Sequence, residues 1–410
     1  MTIPASVYET AKVAEDFSAS KKTVDRTATI RGGMQSGKGL WKQLWEYFRI
    51  TRGPGRLDLK DYYLYKLYDD ARYSFAQKQE FVSERFYFEI VEKCCDPRWW
   101  ILADDKFWSY TVLRANGFPV PETQAVYCPG PRVFDGAATP DGCVAAAPSR
   151  AATPDGYVAA APSRAATLTN SQQLARFFEG PAMFPVYAKP VNGIGSFGNF
   201  LIEKYEDSTL HLHDGSRMPL AQFVNEIDTT NGQLLQSTLT SHPELADVCG
   251  RVSTVRVILI FRNGEPRILH TVWKVPAARN MADNFWRDGN RLAAIDSDTG
   301  VVLRVVGHEE GVPQELDSHT PAAAELLGRT LPDWEAVIDV CTRGARLFSP
   351  LKFQSWDIAL TDDGPVVVEF NPGSAFNLSQ LATGRGFLTD EFLEFLGECG
   401  CRLKKRAKSN

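Results

Sequence analysis

The chain has 410 residues, which at ordinary domain sizes corresponds to two to three domains. Its 45 Lys and Arg stand against 50 Asp and Glu, a net charge of -5, which excludes a generally basic nucleic-acid binder and gives no reason to expect an anionic membrane surface as partner. Apolar residues make up 44%, enough for a sizeable core, yet runs such as VRVILIF are far short of the ~20 residues of a bilayer span. The start MTIPASVYETAKVAEDFS has neither a basic nor an apolar signal region. The eight cysteines show no C-x-x-C and no histidine at ligand spacing, so they read as reduced cytosolic thiols.

Residues 1 to about 35 read as a loose polar leader. LWKQLWEYF and DLKDYYLYKLYDDARY repeat their aromatics and leucines at helical spacing on either side of the breaker RGPGR, which predicts two helices. KQEFVSERFYFEIVEKCC predicts a third, stopping before Asp96-Pro97. WWILADDKFWSYTVLRANG predicts a fourth, closed by Gly117, and FPVPETQAVY an extended segment. From Pro129 to about Thr167 the composition changes. AATPDGCVAAAPSR is followed at once by AATPDGYVAAAPSR, a duplication too short for a solenoid and too poor in large apolar side chains to offset the cost of ordering. A surface insertion is expected there. Beyond it the pattern is α/β, with strands at PVYAKPV, NFLIEKY, VSTVRVILIF, EPRILHTVW, SWDIAL and PVVVEF, and helices at SQQLARFF, LPDWEAVIDVCTRGARLF and TDEFLEFLGE. The basic tail RLKKRAKSN reads as a solvated terminus.

Two Gly-rich stretches could cradle phosphate. GGMQSGKG places Gly32, Gly37 and Lys38 at P-loop spacing, but Gly39 stands where a hydroxyl should meet magnesium and no strand precedes it. GIGSFG places Gly193, Gly195 and Gly198 in G-x-G-x-x-G order, with Ser196 among them, and a strand rather than a helix follows. Strand, Gly-rich turn, strand makes a hairpin whose amides can lie over phosphates, with Lys189 on the leading strand to neutralise charge. A tight hairpin beside a surface lysine is the alternative.

The densest chemistry lies in SWDIALTDDGPVVVEFNPG. A type I turn at Asp362 and Asp363 with Gly364 in the left-handed position predicts that Thr361 pairs with Pro365 and that Asp357 lies opposite Glu369. Two facing carboxylates repel without a cation. Asn371 shares their face and adds a neutral oxygen, and oxygen ligands of this kind suit magnesium together with nucleotide phosphates.

These motifs, in this order, resemble the ATP-grasp superfamily, and more closely its sugar-transfer-associated branch. The resemblance runs from about Leu40 to Phe395 through DYYLYKLYDD, DDKFWSYTVLRANGFPVPET, VYAKPVNGIGSFGN, LLQSTLTSHPEL, STVRVILIFRNGEPRI, ADNFW, IDSDTG, LPDWEAV and SWDIALTDDGPVVVEFNP. It implies that Lys106 and Lys189 bind ATP, that the Gly193 to Gly198 loop closes over the β- and γ-phosphates, and that backbone near Leu235 and Gln236 reads the adenine edge. Arg256 would stabilise the transferring phosphoryl group, and Lys274 and Asn284 would meet the acyl phosphate or acceptor. Asp357, Glu369 and Asn371 would carry one or two Mg2+ ions, or Mn2+. Trp286 and Arg287 stand where the branch has glycines, and FQSWD replaces its usual G-W-D, so the departures gather at the acceptor end.

The expected fold is α/β (α+β): an ATP-grasp fold with mixed or antiparallel sheets clamping ATP, after a mainly helical N-terminal region. Its expected divisions are residues 1–100 (leader and helices), 101–128 (start of the grasp), 129–167 (insertion), 168–240 (small lid subdomain), 241–400 (large subdomain with the metal) and 401–410 (basic tail). The expected activity is a cytoplasmic carboxylate-amine ligase forming an amide through an acyl phosphate. Its partners would be a small carboxylate and a small amine, whether amino acid, uronic acid or natural-product intermediate, with no nucleic acid and no membrane span, and with a homodimer left open. The alternatives are a kinase of a hydroxyl acceptor and a non-catalytic nucleotide-binding regulator.

Overall fold

A computed structural model describes residues 33–34, 36–130, 165–193, 198–227, 231–277, 280, 283–309 and 312–406. Gly32 and the leader before it, nearly all of the duplicated insertion, Gly195, Ser196 and Lys408 lie outside the described residues. The chain divides into two compact units: Met1–Trp99, Glu244–Trp356 and Asn371–Asn410 form one, and Trp100–Pro243 with Asp357–Phe370 the other.

The second unit carries a seven-stranded sheet of β1 (Thr123–Tyr127), β2 (Ala166–Leu168), β3 (Val186–Pro190), β4 (Phe200–Glu206), β5 (Thr209–Leu212), β6 (Arg217–Pro219) and β7 (Gln233–Ser237), in the order β2-β1-β7-β3-β4-β5-β6. Only β1 and β2 run parallel; the other pairings are antiparallel. The helices Ser171–Glu179 and Leu220–Glu226 cover this sheet with Leu174, Phe177, Phe178 and Phe223, which bury against Ala188, Ile202 and Leu235. β5, β6 and β7 and the Leu220–Glu226 helix were absent from the residue-pattern expectations, because elements this short carry no clear period.

The sheet that includes the first unit's strands runs β12-β11-β10-β9-β8-β13-β14, from β8 (Thr254–Arg262), β9 (Glu265–Val275), β10 (Arg291–Ile295), β11 (Val302–Glu309), β12 (Val312–Leu316), β13 (Phe353–Thr361) and β14 (Gly364–Pro372). Asn263 and Gly264, with φ of 55° and 80°, make the hairpin turn between β8 and β9, a geometry that twists with the strands. The chain leaves the first unit within β13, after Trp356, and re-enters it within β14, at Asn371.

The N-terminal region is helical but more broken than its sequence period predicts. Leu40–Thr51 is one helix as expected. DLKDYYLYKLYDDARY yields only Leu59–Leu64, with Asp58 as a reciprocal cap, and Lys66 at φ 55° prevents continuation. Tyr62, Tyr63, Leu64, Tyr65 and Leu67 are all buried, against Val272, Leu292, Ala294 and Val306 of the sheet, so their apolarity serves burial on every side rather than a helical stripe. The third predicted helix, residues 78–95, yields only a short 3-10 turn at Glu84–Phe86 and the helix Tyr87–Cys94, and a separate short helix, Phe75–Lys78, ends where it was expected to begin. The fourth divides at Asp105 into Trp100–Asp104 and Lys106–Ala115. Among the described residues no helix is long and apolar enough to cross a membrane.

Candidate functional site

The break at Asp105 places a lysine. The Asp105 carboxylate accepts the Trp108 N–H at 3.1 Å, the N-cap of the Lys106–Ala115 helix, so Lys106 occupies its first turn. The Lys106 side chain is buried, donates to the Gly193 carbonyl at 2.7 Å and lies 3.3 Å from a Glu369 carboxylate oxygen. One cation therefore meets the entrance of the Gly-rich loop and the acidic strand β14.

Lys189, on β3 opposite Leu234, is buried beneath the same helix. Its ammonium donates to the Tyr110 hydroxyl at 2.5 Å and sits 5.0 Å from the ring centre, while that hydroxyl donates to the Val368 carbonyl at 2.6 Å. Burial, followed by repulsion from Lys106, pushes the Lys189 ammonium down to about 7, with Glu369 opposing the shift. A pocket built to hold a second cation beside Lys106 without its own carboxylate is charged for an anion.

The loop is gripped at both described ends. Lys106 holds the Gly193 carbonyl, and Gln233, fully buried opposite Pro190, donates to the Gly198 carbonyl at 2.9 Å. Gly198 has φ 69°, and an added Cβ there would lie 3.2 Å from Pro190, so glycine is needed on both counts. The Gln233 Oε1 atom is buried with no hydrogen-bond partner among the described residues. Sequence reasoning missed Gln233, since a glutamine just after Asn231-Gly232 carries no motif. Leu235 and Gln236 lie inside β7 between β1 and β3; Leu235 is buried, and the Gln236 amide donates to the Thr123 hydroxyl at 3.1 Å.

At the β13–β14 turn, Gly364 has φ 95° while neither Asp362 nor Asp363 has positive φ, the turn geometry expected from the sequence. Farther along, the Gly373 N–H donates to the Phe353 carbonyl at 2.6 Å. Gly373 is four residues past Glu369 and Phe353 four before Asp357, so this bond falls in the register that sets Asp357 opposite Glu369. Asp357 is 3% exposed; Glu369 and Asn371 are half-buried. All nine residues of β13 are buried, so the strand is covered on both faces. Among the described residues no group of three or more His, Cys, Asp or Glu gathers as a metal site. Two carboxylates and an amide fit an ion that draws its remaining oxygens from phosphate and water, the usual mode for magnesium.

In the first unit, the β8–β9 ladder pairs Thr254 with Lys274 and Arg256 with Val272, so Thr254, Arg256 and Lys274 share one sheet face. Lys274 is buried and 3.6 Å from the Asp283 carboxylate, to which the Thr254 hydroxyl also donates. Asp283 was not among the predicted residues, although it stands beside Asn284 in ADNFW. The Asn284 side-chain oxygen accepts the Trp286 N–H at 3.1 Å and its carbonyl accepts from the buried Asn290 at 2.7 Å, so Asn284 shapes a turn. The P-loop-like Lys38 is bound into ion pairs with Glu46 at 2.6 Å and Asp70 at 2.8 Å, an arrangement that absorbs its charge within the helical region.

The chain belongs to the sugar-transfer associated ATP-grasp family, whose model matches residues 86–393, well over half of its length. It is similar to the ATP-grasp ligase PsnB complexed with a minimal precursor, at 15% identity and TM-score 0.36 over 75% of this chain and 63% of that one. It is similar also to the VanG D-Ala:D-Ser ligase from Enterococcus faecalis, at 10% identity and TM-score 0.39 over 75% and 64%. A third is the D-alanine-D-alanine ligase from Helicobacter pylori, at 10% identity and TM-score 0.38 over 73% and 61%. The chain thus spans less than two thirds of the length of each of these proteins. No curated protein matches it.

Proposed function

We propose that the protein is an ATP-dependent carboxylate-amine ligase. The observation that carries this reading is Lys106 joined to both the Gly193 carbonyl and Glu369, with Lys189 buried beside it. Lys106 and Lys189 take the nucleotide phosphates, the loop from Gly193 to Gly198 covers them, and the strand around Leu235 and Gln236 borders the adenine. Asp357, Glu369 and Asn371 would hold Mg2+, which neutralises phosphate charge during transfer.

A substrate carboxylate oxygen attacks the γ-phosphorus, and the bond to the β–γ bridging oxygen breaks to release ADP. The amine then adds to the acyl-phosphate carbon, phosphate leaves, and loss of a proton from nitrogen completes the amide. Arg256 and Lys274 supply positive charge where the acyl phosphate forms, with Asp283 and Thr254 orienting Lys274. Asn284 acts by shaping the adjoining loop. The reaction belongs in the cytoplasm, where ATP and magnesium are supplied.

An ADP-release screen of amino acids and uronic acids, singly and in pairs, tests the reading. ADP release that requires both a carboxylate and an amine, with a new amide mass, is the expected result. A stable phosphorylated alcohol would instead establish the kinase, and nucleotide binding without turnover for any pair would establish a regulator.

A further inference from the structure

The helix Leu40–Thr51 of the first unit inverts the usual amphipathic pattern. Besides Ile50, the residues it buries are polar, Gln43 at 1% exposed and Glu46 at 8%. The Gln43 amide donates to the Gly33 carbonyl at 2.9 Å and to the Lys38 carbonyl at 2.7 Å. The Glu46 carboxylate accepts from Lys38 at 2.6 Å, from Lys78 at 3.0 Å and from the Tyr62 hydroxyl at 2.9 Å. Two cations and a hydroxyl satisfy that acid, so ion pairs and hydrogen bonds hold the inward face and the large apolar side chains face out. Trp41 is 84% exposed, Trp45 58%, Phe48 56% and Leu40 49%. At helical spacing these four and the half-buried Leu44 make one continuous stripe. Single exposed apolar residues are ordinary, whereas a stripe of them marks a contact surface.

The charge along the stripe has one sign. Lys42 and Arg52 are exposed, and Arg49 lies on the same border of the helix, its guanidinium 4.5 Å from the Trp45 ring centre and 4.2 Å from that of Phe75. Glu46 is the only acid in the helix and is turned inward. Asp70, the exposed acid of the same network, is ion-paired with Lys38 and Lys78. An aromatic and leucine face edged by Lys and Arg is the pattern of a helix lying in the interfacial layer of an anionic membrane, with tryptophan at headgroup level and the cations against lipid phosphates. The net charge of -5 conceals this patch, because it sums over acids placed elsewhere in the chain.

We propose that the Leu40–Thr51 helix is a peripheral membrane contact, which seats Trp41, Trp45 and Phe48 among the headgroups of an anionic bilayer while Lys42, Arg49 and Arg52 meet lipid phosphates. Shallow apolar insertion and basic attraction are each weak and together give reversible attachment. Two other occupants fit the face less well. A second copy would set Lys42, Arg49 and Arg52 against the same cations around a two-fold axis. A stripe about 18 Å long and about 10 Å wide also falls well short of the roughly 800 Å² that each partner of a stable dimer buries. The residues before Gly33 hold five basic and four acidic side chains, so that segment brings no negative charge to the patch.

The test is cosedimentation of the full chain with vesicles of phosphatidylcholine and phosphatidylglycerol, and with vesicles of phosphatidylcholine alone. Binding to the anionic vesicles is expected, weaker by about tenfold or more on the neutral ones and in high salt. The double variant Trp41→Ser, Trp45→Ser should lose about tenfold or more of the partitioning at an unchanged unfolding temperature, since both side chains are exposed. Lys42→Gln with Arg52→Gln, which leaves the apolar stripe whole, should lose a similar factor. Bromine-labelled lipid should quench part of the wild-type tryptophan emission and none of that of the Trp41, Trp45 double variant. A wild-type protein that stays in the supernatant overturns the proposal, as does equal binding to neutral vesicles or binding that survives the double tryptophan change. A wild-type dimer in sedimentation velocity that the same double variant dissolves overturns it too, and assigns the face to a second copy.

Discussion

The Lys106 ammonium stands 3.3 Å from a Glu369 carboxylate oxygen and 2.7 Å from the Gly193 carbonyl, so a single buried cation ties a helix start, a Gly-rich loop and an acidic strand together. Replacing it removes a charge that a nucleotide phosphate would meet. A Lys106→Met variant is expected to bind ATP with magnesium about 10- to 100-fold more weakly by calorimetry, the range for losing a hydrogen bond to a charged group. Unchanged affinity would remove Lys106 from the nucleotide site.

Lys189 should take up a proton when phosphate arrives. Its ammonium is pushed down to about 7 by burial and by Lys106, and a bound anion would restore it toward the ordinary lysine range. At pH 8, ATP binding is expected to draw up to about one proton from solution, read by calorimetry in buffers of different ionisation enthalpy. The sign for folding is also set. Between about 7 and the ordinary value of 10.5 the unfolded chain binds the extra proton, so this group makes stability rise with pH across that window, and Lys189→Met should flatten the slope.

The two facing carboxylates should act through magnesium rather than through nucleotide affinity alone. Asp357→Asn and Glu369→Gln are each expected to lower ADP release by roughly a thousandfold, while ATP binding measured in EDTA changes by no more than about threefold. Equal loss of binding with and without magnesium would mean that the pair supports the fold and not an ion.

Asp283 holds Lys274 at 3.6 Å and accepts from Thr254, so its loss should misplace a charge without touching the nucleotide lysines. Asp283→Asn is expected to leave ATP affinity within about twofold and to lower turnover by about tenfold or more, as small misplacements of a positioning group do. Turnover at the wild-type rate would assign the trio a structural role.

Gly344 lies where the Trp334–Leu347 helix meets the Trp356 ring, and an added Cβ would sit 2.4 Å from that ring. Trp356 is fully buried and immediately precedes Asp357. Gly344→Ala is expected to destabilise the protein by about 1–3 kcal/mol in urea unfolding, the usual cost of overpacking a core, despite alanine's better helix propensity.

Much of the candidate site was legible in the residues because its logic is local. The Asp362-Asp363-Gly364 turn has one comfortable backbone geometry, and counting from it sets Asp357 against Glu369. Lys189 and the glycines that follow it lie on two strands joined by a short loop. Lys106 was legible only through resemblance, since its helix start depends on a cap at Asp105 that reads in sequence as one more polar residue in a longer helix. Gln233 and Asp283 were not legible at all, because each acts through a contact with a segment distant in the chain or through a loop without period.

The sequence by itself determined the class of the chain and the order of its elements, since turn chemistry, strand alternation and glycine placement are short-range properties. Tertiary structure alone decided where the N-terminal helices break, that β13 is covered on both faces, and that burial brings the Lys189 ammonium down to about 7. Burial and long-range contact set these outcomes, and neither has a signature in the spacing of neighbouring residues.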